Sequence, residues 1–351
     1  MRRSAMLESS KDTRKTPAFP VTDRLAALDA WLLRALGGTP FRREPASADA
    51  SFRRYFRVFA GDRTFVAMDA PPDREDCRPF IQVAGLLRNA QLNAPEIHAQ
   101  DLDQGFLLLT DLGRQTYLNV LDDANADALF RDAIAALVTW QRASREGVLP
   151  EFSEPLLRRD LDLFPEWYVG RHRGYTLSDR EREGLETMFR KVLDNNLAQP
   201  RVFVHRDFMP RNLMVSEPGP GILDFQDAVM GPIGYDIASL FRDAFVSWDE
   251  ERILDWTIRY WELARKAGLP VRADFSDFWR DVEWMGFQRH LKVLGIFARI
   301  NYRDGKPGYL EDTPRFIGYV RHAAARYRDL QPLLPLLDAL EGTRTEARYT
   351  F

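Results

Sequence analysis

The chain has 351 residues, 49 Lys plus Arg against 52 Asp plus Glu, a net charge of -3, 45% hydrophobic residues and one cysteine. That is enough apolar material for one large bilobal domain or two ordinary ones, which excludes a disordered or fibrous chain. Cys77 alone cannot form an internal disulfide or a Cys-rich zinc site, no apolar run approaches the roughly 18 residues of a membrane span, and near-neutral charge removes the net basic face that nucleic acid or a membrane surface requires, so a soluble cytoplasmic protein of a reducing compartment, with no obligate protein partner, is expected.

The first twenty residues are polar and basic, with two prolines and no apolar stretch, and read as a disordered leader. Thr22 as an N-cap, followed by Leu25, Leu28, Leu32 and Leu36 at helical spacing and by Gly37 and Gly38, predicts a short amphipathic helix. Residues 52–59 and 64–68 alternate as strands around a Gly61-Asp62 turn and predict a hairpin. Residues 78–90 have helical periodicity, and 105–113 is an apolar strand running into a glycine. From 127 onward helices dominate, over 155–172, 178–197, 233–246, 250–268, 275–300 and 315–341. The exception is 201–225, where three short β-type runs are separated by loops rich in Asp, Asn, Pro and Gly.

Those loops hold the chemistry. The first reads Val204-His205-Arg206-Asp207-Phe208-Met209-Pro210-Arg211-Asn212, and Leu223-Asp224-Phe225-Gln226-Asp227 follows. Phosphoryl transfer from a nucleotide needs a base near the attacking hydroxyl and oxygen ligands for magnesium. An Asp and an Asn five positions apart can point at substrate and metal respectively, and a second Asp after the next strand completes the metal site.

The pattern H-x-D-x-x-x-x-N followed by hydrophobic-Asp-Phe resembles the catalytic and metal loops of the protein-kinase-like superfamily, and more closely its aminoglycoside phosphotransferase and choline kinase branch. The resemblance implies an α+β, bilobal protein-kinase-like fold: a small antiparallel β-sheet lobe over 21–112 that binds nucleotide, and a mainly helical lobe over 113–351 with the catalytic loop at 205–212 and the metal loop at 223–227. It implies Asp207 as catalytic base, Asn212 and Asp224 as magnesium ligands, His205 as the structural histidine of the loop, and Asp236 as its brace, with ATP and Mg2+ as cofactors. The segment ending at Thr110 to Leu112 is similar to the hinge whose main chain meets the adenine edge.

Two family elements, the glycine-rich phosphate loop and the third-strand lysine, are absent in their usual form. The strand matching V-A-I-K reads Val66-Ala67-Met68-Asp69, so an aspartate takes the lysine slot, and no lysine occurs between Lys15 and Lys191. Ser51 and its flanking alanines stand where glycines would approach phosphate, and Arg53, Arg54 and Arg57 are the candidate phosphate cations; strand alternation puts Arg53 and Arg57 on one face and Arg54 on the other.

The runs 48–57, 68–80, 163–168 and 205–213 resemble the bacterial anomeric kinases of N-acetylmuramate and N-acetylglucosamine, a family with the same lysine-free third strand. That resemblance implies phosphorylation of the C1 hydroxyl of an amino sugar in peptidoglycan recycling. Arg211, Asp227, Trp167 and Tyr168 are candidate sugar contacts, since aromatic faces pack on pyranose rings and an arginine can meet a lactyl carboxylate. The alternatives are a kinase of another small alcohol, of the aminoglycoside, choline or homoserine type, and a nucleotide-binding pseudokinase.

Overall fold

The computed structural model describes residues 21–47 and 52–342, and the side chains of all of these except 21–23 and 47. The leader, Ser51 and the side chain of Thr22 therefore lie outside the described residues. The chain forms two compact units, one of residues up to Cys77 together with Ile97–Asp111, the other of Arg78–Glu96 and everything from Leu112 onward.

The first unit is an antiparallel sheet with a helix on one face. Helix α1 (Val21–Ala35) precedes β1 (Phe41–Ser47), β2 (Arg54–Ala60), β3 (Arg63–Asp69), β4 (Ile97–Asp101) and β5 (Phe106–Thr110), ordered β1-β2-β3-β5-β4. Leu28, Trp31 and Leu32 of α1 form a core with Phe56, Val58, Phe65, Ala67, Phe106 and Leu108, alternate residues of the three central strands. The expected hairpin is thus the centre of a five-stranded sheet.

The period of two decides where the aspartate in the lysine slot points. Asp69 shares a strand face with Phe65 and Ala67, the face that α1 covers, and its side chain is fully buried. Register places Arg54 directly opposite it. Arg54 donates from Nε and Nη2 to Oδ2, while Arg24 of α1 donates from Nε to Oδ1 at 2.7 Å. On the other face Arg57 forms a bidentate pair with Asp111, at 2.7 and 3.0 Å.

The second unit is mainly helical: α2 (Arg78–Asn89), α3 (Tyr117–Val120), α4 (Ala126–Arg142), α5 (Glu154–Leu163), α6 (Asp179–Leu197), α7 (Tyr235–Phe241), α8 (Glu250–Lys266), α9 (Phe275–Asp304), α10 (Thr313–Arg326) and α11 (Leu334–Glu341). Two small antiparallel pairs are set among them, β6 (Arg201–Val204) with β9 (Val229–Pro232) and β7 (Leu213–Met214) with β8 (Gly221–Ile222). The single helix expected over 155–172 is two segments: α5 passes at Leu163 into π-helix over Phe164–His172. Here α9 comes close, since a Cβ on Gly295 would stand 2.4 Å from the carbonyl carbon of Leu163. The helix expected over 233–246 ends at Phe241, and the one over 315–341 is broken at Tyr327 into α10 and α11.

Candidate active site

The loop after β6 is held by one carboxylate. Asp236, in the first turn of α7 and fully buried, accepts from the His205 N–H at 2.7 Å through Oδ2 and from the Arg206 N–H at 3.0 Å through Oδ1. Arg206 has φ 76°, a left-handed conformation that costs a non-glycine residue about 1–2 kcal/mol, and the hydrogen bond to Asp236 offsets that strain. Burial pushes the Asp236 carboxyl up to about 7, against the two N–H donors that pull it down. Burial also pushes the His205 imidazole down to about 4, against the pull of the Asp207 charge. His205 is therefore a neutral ring inside the loop, packed edge-on against Phe208, with Nδ1 3.3 Å from the Asp207 N–H.

Asp207 projects at the turn with its carboxylate partly exposed, as a group that must meet a substrate requires. Asn212 folds back on it: its Nδ2 donates to the Asp207 carbonyl at 2.9 Å, which orients the amide and leaves Oδ1 as an available donor oxygen. The Asn212 carbonyl accepts from the Leu223 N–H at 2.9 Å, so the two loops are tied at the residue before Asp224. Asp224 takes φ 61° and is exposed. Gln226 Nε2 donates to its Oδ1 at 2.9 Å and lies 3.4 Å from Asp227 Oδ2. An amide oxygen and a carboxylate form the oxygen-only donor set of a hard divalent cation, so Asn212 and Asp224 fit Mg2+.

The structure thus gathers His205, Asp207, Asn212, Asp224 and Asp236, with Asp227 alongside. Arg211, half-buried on the same loop, lies over the Phe245 ring at 5.2 Å. Trp167 and Tyr168 sit in the π-helical segment; Tyr168 is 3% exposed, stacked on Phe164 at 5.7 Å and packed against His172, so its ring faces are occupied by protein. In the first unit Arg54 and Arg57 are held by Asp69 and Asp111 as described, Arg53 lies just ahead of β2, and Thr110 meets His98 Nε2 at 3.0 Å. The Leu112 side chain lies against Gly221 of β8.

Several residues around Asp207 escape motif reading. Arg289 of α9, 4% exposed, brings Nη2 to 4.0 Å from Asp207 Oδ1. Lys292, one turn on, pairs with Asp160 of α5 at 3.3 Å and donates to the Tyr235 hydroxyl at 3.2 Å, and Arg206 Nη2 lies 3.8 Å from the same Asp160 oxygen. Asp243, just past α7, is fully buried, and burial raises its carboxyl to about 6 while Arg289 and Arg211 lower it. The available signal was composition: residues 288–290 and 292, buried in mid-helix, are Gln, Arg, His and Lys.

Comparison with known proteins shows the family. Residues 42–275 match the phosphotransferase enzyme family. The N-acetylmuramate/N-acetylglucosamine kinase of Pseudomonas aeruginosa is 56% identical over 296 residues, 84% of this chain and 88% of the relative. The kinase of the same name from Neisseria meningitidis serogroup B is 47% identical over 334 residues, 93% and 99% of the two chains. Among solved structures, a putative aminoglycoside phosphotransferase from Ralstonia eutropha superposes with a TM-score of 0.62 at 14% identity, covering 88% of this chain and 98% of that one. Choline kinase LicA from Streptococcus pneumoniae superposes at 0.59 and 13%, covering 84% and 99%, and these two likenesses establish the shared fold.

Proposed function

Since the chain belongs to the phosphotransferase enzyme family, we propose that it transfers the γ-phosphoryl group of ATP to the C1 hydroxyl of N-acetylmuramate and N-acetylglucosamine, a reaction that returns peptidoglycan sugars to use. The observation that supports the transfer is the tie between two loops: the Asn212 amide holds the Asp207 main-chain carbonyl, and the Asn212 carbonyl holds the N–H of Leu223, the residue before Asp224. The names of the relatives supply the acceptor.

In this reaction the Asp207 carboxylate accepts the hydroxyl proton as the anomeric oxygen bonds to phosphorus. The bond from phosphorus to the ADP oxygen breaks, giving the sugar 1-phosphate and ADP. An anomeric hydroxyl is more acidic than an ordinary alcohol, so less is asked of the base, and positioning supplies much of the rate. Asn212 and Asp224 would hold Mg2+, which when bound would neutralise phosphate charge. Asp236 keeps the loop that carries Asp207 in one conformation.

A coupled assay with N-acetylmuramate, N-acetylglucosamine, choline and kanamycin as acceptors, with phosphorus NMR of the product, tests the reading. Turnover with the two acetylated sugars and an acid-labile anomeric phosphate is expected. Asp207→Asn should lower kcat about 10³-fold while nucleotide still binds; turnover retained in that variant removes Asp207 from its role.

A further inference from the structure

We propose that Arg289 recognises the lactyl carboxylate of N-acetylmuramate and so sets the preference between the two acetylated sugars; this rests on the acceptor reading above. The guanidinium is almost wholly buried, yet its Nη1 has no hydrogen-bond partner among the described residues. Nη2 approaches Asp207 at 4.0 Å, beyond hydrogen-bonding distance. A buried cation with empty donors is costly unless an anion completes it.

The neighbouring carboxylates Asp207, Asp236 and Asp243 act on it as charges, and none of them hydrogen-bonds Nη1. Both oxygens of Asp236 are taken by the His205 and Arg206 N–H groups; Asp243 Oδ1 accepts from the Ala244 N–H at 2.5 Å, and its buried Oδ2 makes no hydrogen bond. Asp160, the acid nearest the other cations of the site, is engaged by Lys292. Further along α9, Lys292, Arg299 and Arg303 continue the cations at helical spacing, with Asp160 paired to Lys292 and Asp304 to Arg303.

The fit to a lactyl carboxylate follows from where Asp207 stands. With the C1 hydroxyl at the base, the substituent on C3 lies two ring carbons away, within the reach of a guanidinium that borders the same carboxylate. Arginine presents two parallel N–H donors, which match a carboxylate and gain far less from the C3 hydroxyl of N-acetylglucosamine. The acetamide at C2 is common to both sugars and cannot discriminate between them.

The test measures kcat/KM of the intact protein with N-acetylmuramate, its lactyl methyl ester and N-acetylglucosamine, in the wild type, Arg289→Lys and Arg289→Gln. The wild type should favour the free acid over the ester by on the order of thirtyfold, the loss seen when one partner of a buried charge pair is removed. Arg289→Gln should erase that preference and Arg289→Lys should keep part of it, with ATP affinity and circular dichroism as checks on the fold. An equal loss on all three acceptors would make Arg289 a positioning residue for Asp207 and overturn the proposal. So would a wild type that does not distinguish acid from ester, a measurement that requires no variant to fold. Turnover of neither sugar by the wild type would instead refute the acceptor reading itself.

Discussion

Asp236→Ala separates the stability of the catalytic loop from its geometry. The substitution leaves the buried N–H groups of His205 and Arg206 without their acceptor, at about 1–3 kcal/mol each, or roughly 2–6 kcal/mol together. Against this stands relief from a buried carboxyl raised from 3.8 to about 7. With the folded value above the unfolded one, the folded state binds the extra proton, and stability owed to Asp236 is lost as pH rises from about 4 to about 7, by roughly 4 kcal/mol. The cost of Asp236→Ala is therefore expected to be largest near pH 4 and to shrink toward pH 8, as read by urea unfolding at each pH. Activity should behave differently, because a loop freed at residues 205 and 206 no longer fixes Asp207: kcat should fall at least tenfold across the whole range. A cost that grows with pH, or an unchanged kcat, would refute the reasoning.

Two further outcomes follow from buried charge. Restoring the family's lysine by Asp69→Lys places a third cation between Arg24 and Arg54 in a fully buried position, and should cost about 3–5 kcal/mol; a thermal melt matching the wild type would show that the two arginines do not depend on Asp69. His205→Gln tests the opposite linkage. The folded imidazole at about 4 lies below its ordinary 6.5, so its contribution is present above pH 6.5 and is lost as pH falls toward 4, and the cost of the substitution should decline by roughly 3 kcal/mol over that interval. Urea unfolding that shows a constant cost would mean that the ring is charged in the folded state.

What could be read in the sequence was what the chain settles locally. The spacing from His205 to Asn212 and on to Asp224 lies within two turns and a short hairpin, so the motif and its geometry are nearly the same fact. The β2-β3 hairpin and α9 likewise carry their own periodicity. The edge strands were not legible, because β1 reads Phe-Arg-Arg-Glu-Pro-Ala-Ser and β4 is nowhere fully buried; each is a strand because β2 or β5 offers it hydrogen bonds. The passage from α5 into π-helix is equally tertiary, lying where Gly295 lets α9 approach Leu163. Arg289 reaches Asp207 from a helix distant in sequence, and no local pattern points from one to the other.

The aspartate in the lysine slot changes what the sheet's arginines can do. Arg54 is held by Asp69, and Arg57 by Asp111 in a bidentate pair with both side chains at most 10% exposed. A phosphate drawn to either arginine must displace a carboxylate that already satisfies it, and breaking such a partly buried pair costs about as much as a new charge-assisted contact supplies. Catalysis is then favoured when less charge stabilisation is required of protein cations, which is the case for an acceptor hydroxyl that gives up its proton readily. On the proposed reaction, the lysine-free strand and an anomeric acceptor would be one adaptation: the easier the deprotonation at Asp207, the smaller the loss from a third strand whose charge goes to holding β2, β3 and α1 together.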